Sequence, residues 1–202
     1  MLKPLIIIGV GGHGKVVLDA SIKAGFSVDG FLDDAIEKSG FFGVKRIGTV
    51  SDFRKYIKTH VFICAIGDND IRQKIAGSMD VEWATIIHPG AQIGIDVKIE
   101  PGTVIFAGSV VNASAKVGRH CIVNTAVLVE HDCMISDFVH LSPNATICGN
   151  VSVGSMSWIG AGATIINGVS ISAEVIIGCG SVVVKSISER GTYVGVPARL
   201  QD

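Results

Sequence analysis

Residues 141–165 read LSPNATICGNVSVGSMSWIGAGATI, and every sixth residue, Leu141, Ile147, Val153, Ile159 and Ile165, is a large aliphatic. The period extends far beyond this stretch. Stepping by six from Ile87 to Val183 gives seventeen positions, each of them Ile, Val or Leu. Four residues after each comes a small or β-branched one, such as Ala115, Cys121, Ala145 and Ser157. An internal repeat of this kind outranks local propensity in deciding a fold. Each hexapeptide supplies a short strand and a turn, and three hexapeptides close one triangular coil. The aliphatics stack inward from coil to coil, which explains the richness in Val and Ile. Seventeen unbroken repeats make between five and six coils of a left-handed parallel β-helix, with no large loop inserted. Such solenoids are an exception to the right-handed crossover rule.

Residues 1–86 carry a different pattern. Strands are expected over 4–10, 28–32 and 60–66, and helices over 14–24 and 68–76; residues 83–87 lead into the first coil. The chain therefore divides into an α/β half-Rossmann domain, 1–86, and a β-helix domain with a C-terminal tail, 87–202. Between the first strand and helix lies Gly9-Val10-Gly11-Gly12-His13-Gly14, which fits G-x-G-x-x-G. A dinucleotide fold needs two mononucleotide halves, and here the solenoid begins where the second would stand. The dehydrogenase reading is therefore set aside. What the glycines do physically is let backbone N–H groups and a helix N-terminus approach phosphate. A single nucleoside diphosphate suits a half-Rossmann unit. The acidic pair Asp33-Asp34 follows the second strand, near where a ribose-binding acid would sit.

Composition narrows the function classes. The 202 residues carry a formal net charge of −1, so no basic field exists to hold nucleic acid or an anionic membrane. No apolar run approaches the ~20 residues of a membrane-spanning helix, and the N-terminus lacks the pattern of a signal peptide. The five cysteines form no C-x-x-C pair and are odd in number, which points to reduced thiols and a cytoplasmic location. Cys121 and Cys133 fall in the small-residue register and read as corner fillers. No metal is expected, because the histidines lack the closely spaced pair of the γ-class carbonic anhydrases, zinc enzymes built on the same prism. His60 and His120 read as surface side chains.

Residues 124–150, NTAVLVEHDCMISDFVHLSPNATICGN, concentrate the polar groups of an otherwise aliphatic solenoid: Asn124, Glu130, His131, Asp132, Asp137 and His140. His131 is the third residue of its hexapeptide and His140 the last of the next, so the two occupy different faces or corners. Two histidines flanked by acids suit acyl transfer to an amine. An ammonium is not nucleophilic, so a base with a near-neutral pKa must take a proton. A neighbouring carboxylate stabilises the charged imidazole, and a glycine N–H can meet the oxyanion closely. No G-x-S-x-G elbow is present, so direct transfer is expected rather than an acyl-enzyme.

These segments, together with FLDD, AIGDNDIRQKI, IIHPGAQIG and the terminal VGVPAR, resemble the bacterial nucleotide-sugar acetyltransferases over essentially the whole chain. These are the N-acetyltransferases of bacillosamine, perosamine and viosamine pathways and their sialic-acid O-acetyltransferase relatives. The resemblance implies acetyl-CoA as cosubstrate, a homotrimer with sites between subunits, and a place in lipopolysaccharide or glycan biosynthesis. It makes His131 the general base, oriented by Asp132, and sets His140 at the thioester with the Gly149 N–H near its carbonyl. It assigns Gly11, Gly12 and His13 to the phosphates, and Asp33, Asp34 and Ala65, Ile66 and Gly67 to the base and ribose. Asn124 would reach the nucleotide sugar from an adjacent subunit. Coenzyme A would run along the later coils past Ala161 and Cys179. The chain departs from relatives at Gly11-Gly12, often Ser-Gly, and at Cys179, often Gly; both positions act through backbone atoms. The implied substrate is a 4-amino-4,6-dideoxyhexose on UDP, GDP or dTDP. The alternatives are O-acetylation of sialic acid or a related sugar, and a non-catalytic solenoid that binds sugar nucleotides.

Overall fold

The computed structural model describes residues 3–35 and 40–201. The N-terminal unit is a five-stranded sheet in the order β3-β4-β2-β1-β5. It comprises β1 (Leu5–Ile8), β2 (Val28–Leu32), β3 (Gly40–Phe41), β4 (Val44–Gly48) and β5 (Val61–Cys64). The strands β4, β2, β1 and β5 run parallel, and β3 adds an antiparallel edge. Continuous burial of β1 and β5 fits strands covered on both faces. Helix α1 (Gly12–Lys23) and helix α2 (Asn69–Ser78) follow β1 and β5. The segment 40–55 adds β3, β4 and a capped 3-10 turn at Val50–Lys55, elements that the sequence pattern does not predict.

From Ile86 the chain becomes a parallel β-solenoid. Each rung is a two-residue strand, extended to three at Val175–Ile177, whose outward side chain precedes the inward aliphatic. Register partners such as Val129 and Ile147 stand 18 residues apart, one full coil. The inward aliphatics from Ile105 to Val183 are essentially without solvent contact and form one continuous core. Cys121 and Cys133 fill corners, their thiols directed at the carbonyls of Ser136 and Cys148. The first coil differs: Ile93 is 38 % exposed, because no earlier coil lies beneath it. At every turn from Asp96 to Gly180, at six-residue steps, one residue has φ between +53° and +80°. Only five of these are glycines, so the ladder on either side holds ordinary residues in a conformation they disfavour.

The outward residues give the three faces different characters. On the first face, Ile86, Val104 and Ile122 are buried against the α/β unit, which packs Leu5, Ile7 and Val17 into the same cluster. That cover ends at His140, 8 % exposed, and leaves Trp158 and Ile176, at 40 % and 44 %, open. The second face presents Val110, Leu128, Thr146, Thr164 and Val182, all half-buried and uncharged. The third presents Lys98, Lys116, Met134, Ser152 and Ser170 to solvent.

Candidate active site

Where β1 meets α1, Gly9 has φ +85°, and a Cβ there would stand 2.3 Å from Ile66 Cδ1. A Cβ on Gly14 would stand 2.8 Å from the Gly9 carbonyl oxygen. These two glycines allow strand, helix and β5 end to approach closely. Gly11 and Gly12 are exposed and face open space, as a loop that receives phosphate must. Asp33, assigned by resemblance to the base and ribose, is occupied within the protein: it accepts the Val10 N–H at 2.9 Å and the Ala35 N–H at 2.8 Å. It therefore fixes the loop. Asp34 accepts the Val50 N–H at 2.8 Å and remains exposed.

His13 is directed into the junction with the solenoid. Its ring meets Phe106 edge-on at 5.5 Å and lies 6.3 Å from that of His140. Burial, with the nearby Arg72 charge, lowers its pKa to about 4. His140 stacks flat on Trp158 at 5.2 Å and its Nε2 accepts from Asn124 Nδ2 at 3.3 Å. Desolvation, then Arg72 and His13, lower its pKa to about 3, so this ring is a neutral hydrogen-bonding group and not a base. A groove of about 450 Å³ runs from Asn124 and His140 past Trp158 and Ala161 to Cys179. Trp158 Nε1 donates to Ser142 Oγ at 2.7 Å in its wall. The residues predicted from sequence to meet coenzyme A thus share one groove, with the exception of Gly149.

His131 and Gly149 lie elsewhere. Nine residues separate His131 from His140, half of an 18-residue coil, so the two rings occupy opposite sides of the prism. His131 projects from the corner between the second and third faces, with 58 % of its side chain exposed. Asp132 holds the left-handed turn position, φ +60°, and its Oδ2 accepts from His131 Nδ1 at 2.8 Å. That hydrogen bond is the main reason the His131 pKa is raised, with smaller additions from the Asp132 and Glu130 charges. The proton held on Nδ1 leaves Nε2 as the basic nitrogen. Gly149 lies one coil further on, against this ring: a Cβ there would stand 2.8 Å from His131 Nε2 and Cε1. Gly149→Ala is therefore expected to tilt the ring and lower transfer roughly 10–100-fold, with melting unchanged. Thiol-release kinetics alongside a thermal melt checks this.

His60 and His120 are not surface decoration. His60 is buried, bonded to Asp29 at 3.0 Å and Thr59 at 2.8 Å. His120, 5 % exposed, stacks on Phe138 one coil later at 5.1 Å and meets Trp83 edge-on. Tyr56 and Thr59 cover His60 locally, with Asp29 brought by the fold, whereas Trp83 and Phe138, both remote in sequence, cover His120. Trp158, Ser142 and Arg72 carried no functional signal in the sequence; Trp158 merely occupies an outward register position. Among the described residues no three of His, Cys, Asp or Glu gather as a metal site, and no helix is long and apolar enough to cross a membrane.

Residues 4–79 match the family described as the PglD N-terminal domain. The chain is 32% identical over 165 residues to the GDP-perosamine N-acetyltransferase of Escherichia coli O157:H7, covering 77% of this chain and 74% of that enzyme. It spans smaller shares, 52% and 24%, of two other curated relatives. The acetyltransferase domain of PglB from Neisseria gonorrhoeae FA1090, in complex with acetyl coenzyme A, superposes with a TM-score of 0.95 at 34% identity, covering 100% of both chains. PerB from Caulobacter crescentus, in complex with CoA and GDP-perosamine, gives 0.91 at 33% identity, covering 100% of this chain and 99% of that one. The chain belongs to the nucleotide-sugar N-acetyltransferases of the perosamine and bacillosamine type, a family of acyltransferases.

Proposed function

We propose that this protein transfers the acetyl group of acetyl-CoA to the amine of a nucleotide-linked 4-amino-4,6-dideoxyhexose. The observation that carries this reading is the His131–Asp132 pair, an oriented imidazole with its second nitrogen free at an exposed corner. His131 Nε2 takes the proton as the amine nitrogen bonds to the thioester carbonyl carbon. The carbon–sulfur bond then breaks, and the departing thiolate takes the proton back from His131 Nε2 and leaves as the thiol. Gly149 offers its N–H to the carbonyl oxygen, and the neutral His140 ring, its Nε2 engaged by Asn124, contacts the thioester from the groove side. The groove's floor of small and apolar residues, Gly160, Ala161, Gly178 and Cys179 among them, suits a pantetheine arm along the later coils. Residues 1–86 hold the sugar nucleotide through Gly11, Gly12 and the Ala65, Ile66 and Gly67 segment, and residues 87–202 hold the acyl donor.

The separation of His131 from the His140 groove supports assembly as a trimer. A corner of one copy must meet the groove of another for base and thioester to come together. The uncharged second face, from Val110 to Val182, is the one suited to a contact between copies. Asn124 would then face a neighbour's nucleotide sugar. To test the reading, the protein is incubated with acetyl-CoA and a panel of UDP-, GDP- and dTDP-linked amino sugars together with sialic acid, and free thiol is followed. Release is expected with a 4-amino-4,6-dideoxy sugar. Release only with sialic acid would favour O-acetylation, and no release with any acceptor would refute both.

A further inference from the structure

Trp158 is the outward residue of its rung, and its register partners on the adjacent coils are His140 and Ile176. Paired strands lie about 4.8 Å apart, so flat side chains at one register are brought face to face. The indole and the His140 imidazole meet in this way, with centroids 5.2 Å apart and planes 7° apart. A hydrogen bond then fixes the indole within its own plane: Nε1 donates to Ser142 Oγ at 2.7 Å. Ser142 follows His140 on the same coil, so tie and stack both join Trp158 to one short segment. The coil does not need an indole for its own packing. On the third face the outward sites of the neighbouring rungs hold Ser152 and Ser170, and 40 % of Trp158 stays open along the groove.

The other restraints on His140 are weak. Asn124 Oδ1 accepts the Thr125 N–H at 2.8 Å, which turns the amide NH2 toward His140 and makes Nε2 the acceptor. That bond is long, at 3.3 Å, and Nδ1 meets no hydrogen-bond partner among the described residues. The Cβ–Cγ torsion of a histidine has broad wells, so one long bond does not hold the ring plane. A flat face laid against the ring does. We propose that Trp158 is a positioning residue for acyl transfer that acts through His140: tied to Ser142, its indole fixes the plane of the imidazole so that Nε2 stays on the Asn124 amide and the ring keeps one orientation at the groove. This rests on the groove being the acyl-donor site of the proposed reaction.

The test pairs steady-state kinetics with NMR of the Asn124 side-chain amide in the full chain. Trp158→Leu removes the flat face and keeps apolar bulk. It is expected to lower kcat and kcat/KM for acetyl-CoA together, about 10–100-fold, as loss of orientation does, while the affinity for CoA stays near wild type. Trp158→Phe restores a flat face and should recover most of kcat; Ser142→Ala, which frees the indole, should lose several-fold. A wild-type kcat in Trp158→Leu would overturn the proposal, and so would an equal loss in Trp158→Phe. A loss confined to KM would also overturn it, since the indole would then only bind the donor. Should Trp158→Leu fail to fold, Ser142→Ala decides: an unchanged kcat overturns the proposal, and a lower kcat at unchanged CoA affinity supports it. The NMR readout needs no substrate. The Asn124 amide proton bonded to Nε2 should lose its hydrogen-bonded shift in Trp158→Leu and keep it in Trp158→Phe; a shift retained in both overturns the proposal. Absence of turnover with every acceptor would refute the proposed reaction and leave the amide signal to decide whether Trp158 holds the ring.

Discussion

Replacing His131 with alanine is expected to lower the rate of acetyl transfer about 10²–10⁴-fold, the range for loss of a general base, while both KM values and the melting temperature stay near wild type. The ring touches none of the buried core; it stands at an exposed corner with Asp132 and Gly149 as its neighbours. Its removal therefore takes away a proton acceptor without opening a cavity. Asp132→Asn sharpens the test through pH. Asp132 raises the His131 pKa above 6.5, so the wild type loses the neutral, active base as pH falls through a value above 6.5. The carboxamide removes the charge that favours imidazolium, so the acid limb should move down toward 6.5. The plateau rate should also fall, because the ring is less firmly oriented and the nitrogen less basic. A pH–rate profile of kcat/KM for the two proteins reads both effects. An acid limb that stays in place, or moves up, would mean that His131 is not the titrating base.

The second large effect concerns stability. Ile147→Ala is expected to destabilise the protein by about 2–5 kcal/mol, the range for emptying a buried aliphatic site. Ile147 is fully buried and stacks between Val129 and Ile165 of adjacent coils. Neither neighbour can collapse into the gap, since the ladder fixes coil spacing on every side. Ile93→Ala, in the same register, should cost well under half as much, because Ile93 already meets solvent at the open first coil. Denaturant melts of the two variants make the comparison. Equal losses would show that the stack is not the source of stability. If activity also falls in Ile147→Ala at a temperature where the protein is folded, the rung leading into Gly149 transmits its displacement to the His131 corner.

The repeat made most of the architecture legible. A period of six can be satisfied only by short strands and turns closing on themselves, and all seventeen aliphatic positions fall on inward sites of the rungs. The turns were less legible. Phe138, Met156 and Glu174 occupy left-handed positions that nothing in their chemistry favours; the ladder imposes the conformation. The hairpin β3–β4 escaped because its strands are short and half-exposed, without a clean alternation. At the site, the pairing of His131 with Asp132 could be read because the two residues are adjacent in sequence. The family resemblance, and not their register, set His140, Ala161 and Cys179 along one path; that Asn124 lines the same groove came only from the fold.

The sequence alone therefore determined the solenoid, the glycine loop and the pairing of His131 with Asp132, since each rests on local spacing. Tertiary structure alone decided how these parts relate. It set His131 and His140 on opposite sides of one coil, committed Asp33 to the loop, and turned His13 inward toward Phe106. It also buried Arg72 among carbonyls contributed by segments up to 66 residues away in the chain. Long-range contacts of this kind depend on which face of a helix meets which face of the prism. No period within either element specifies that choice; the apolar cover over Ile86, Val104 and Ile122 does.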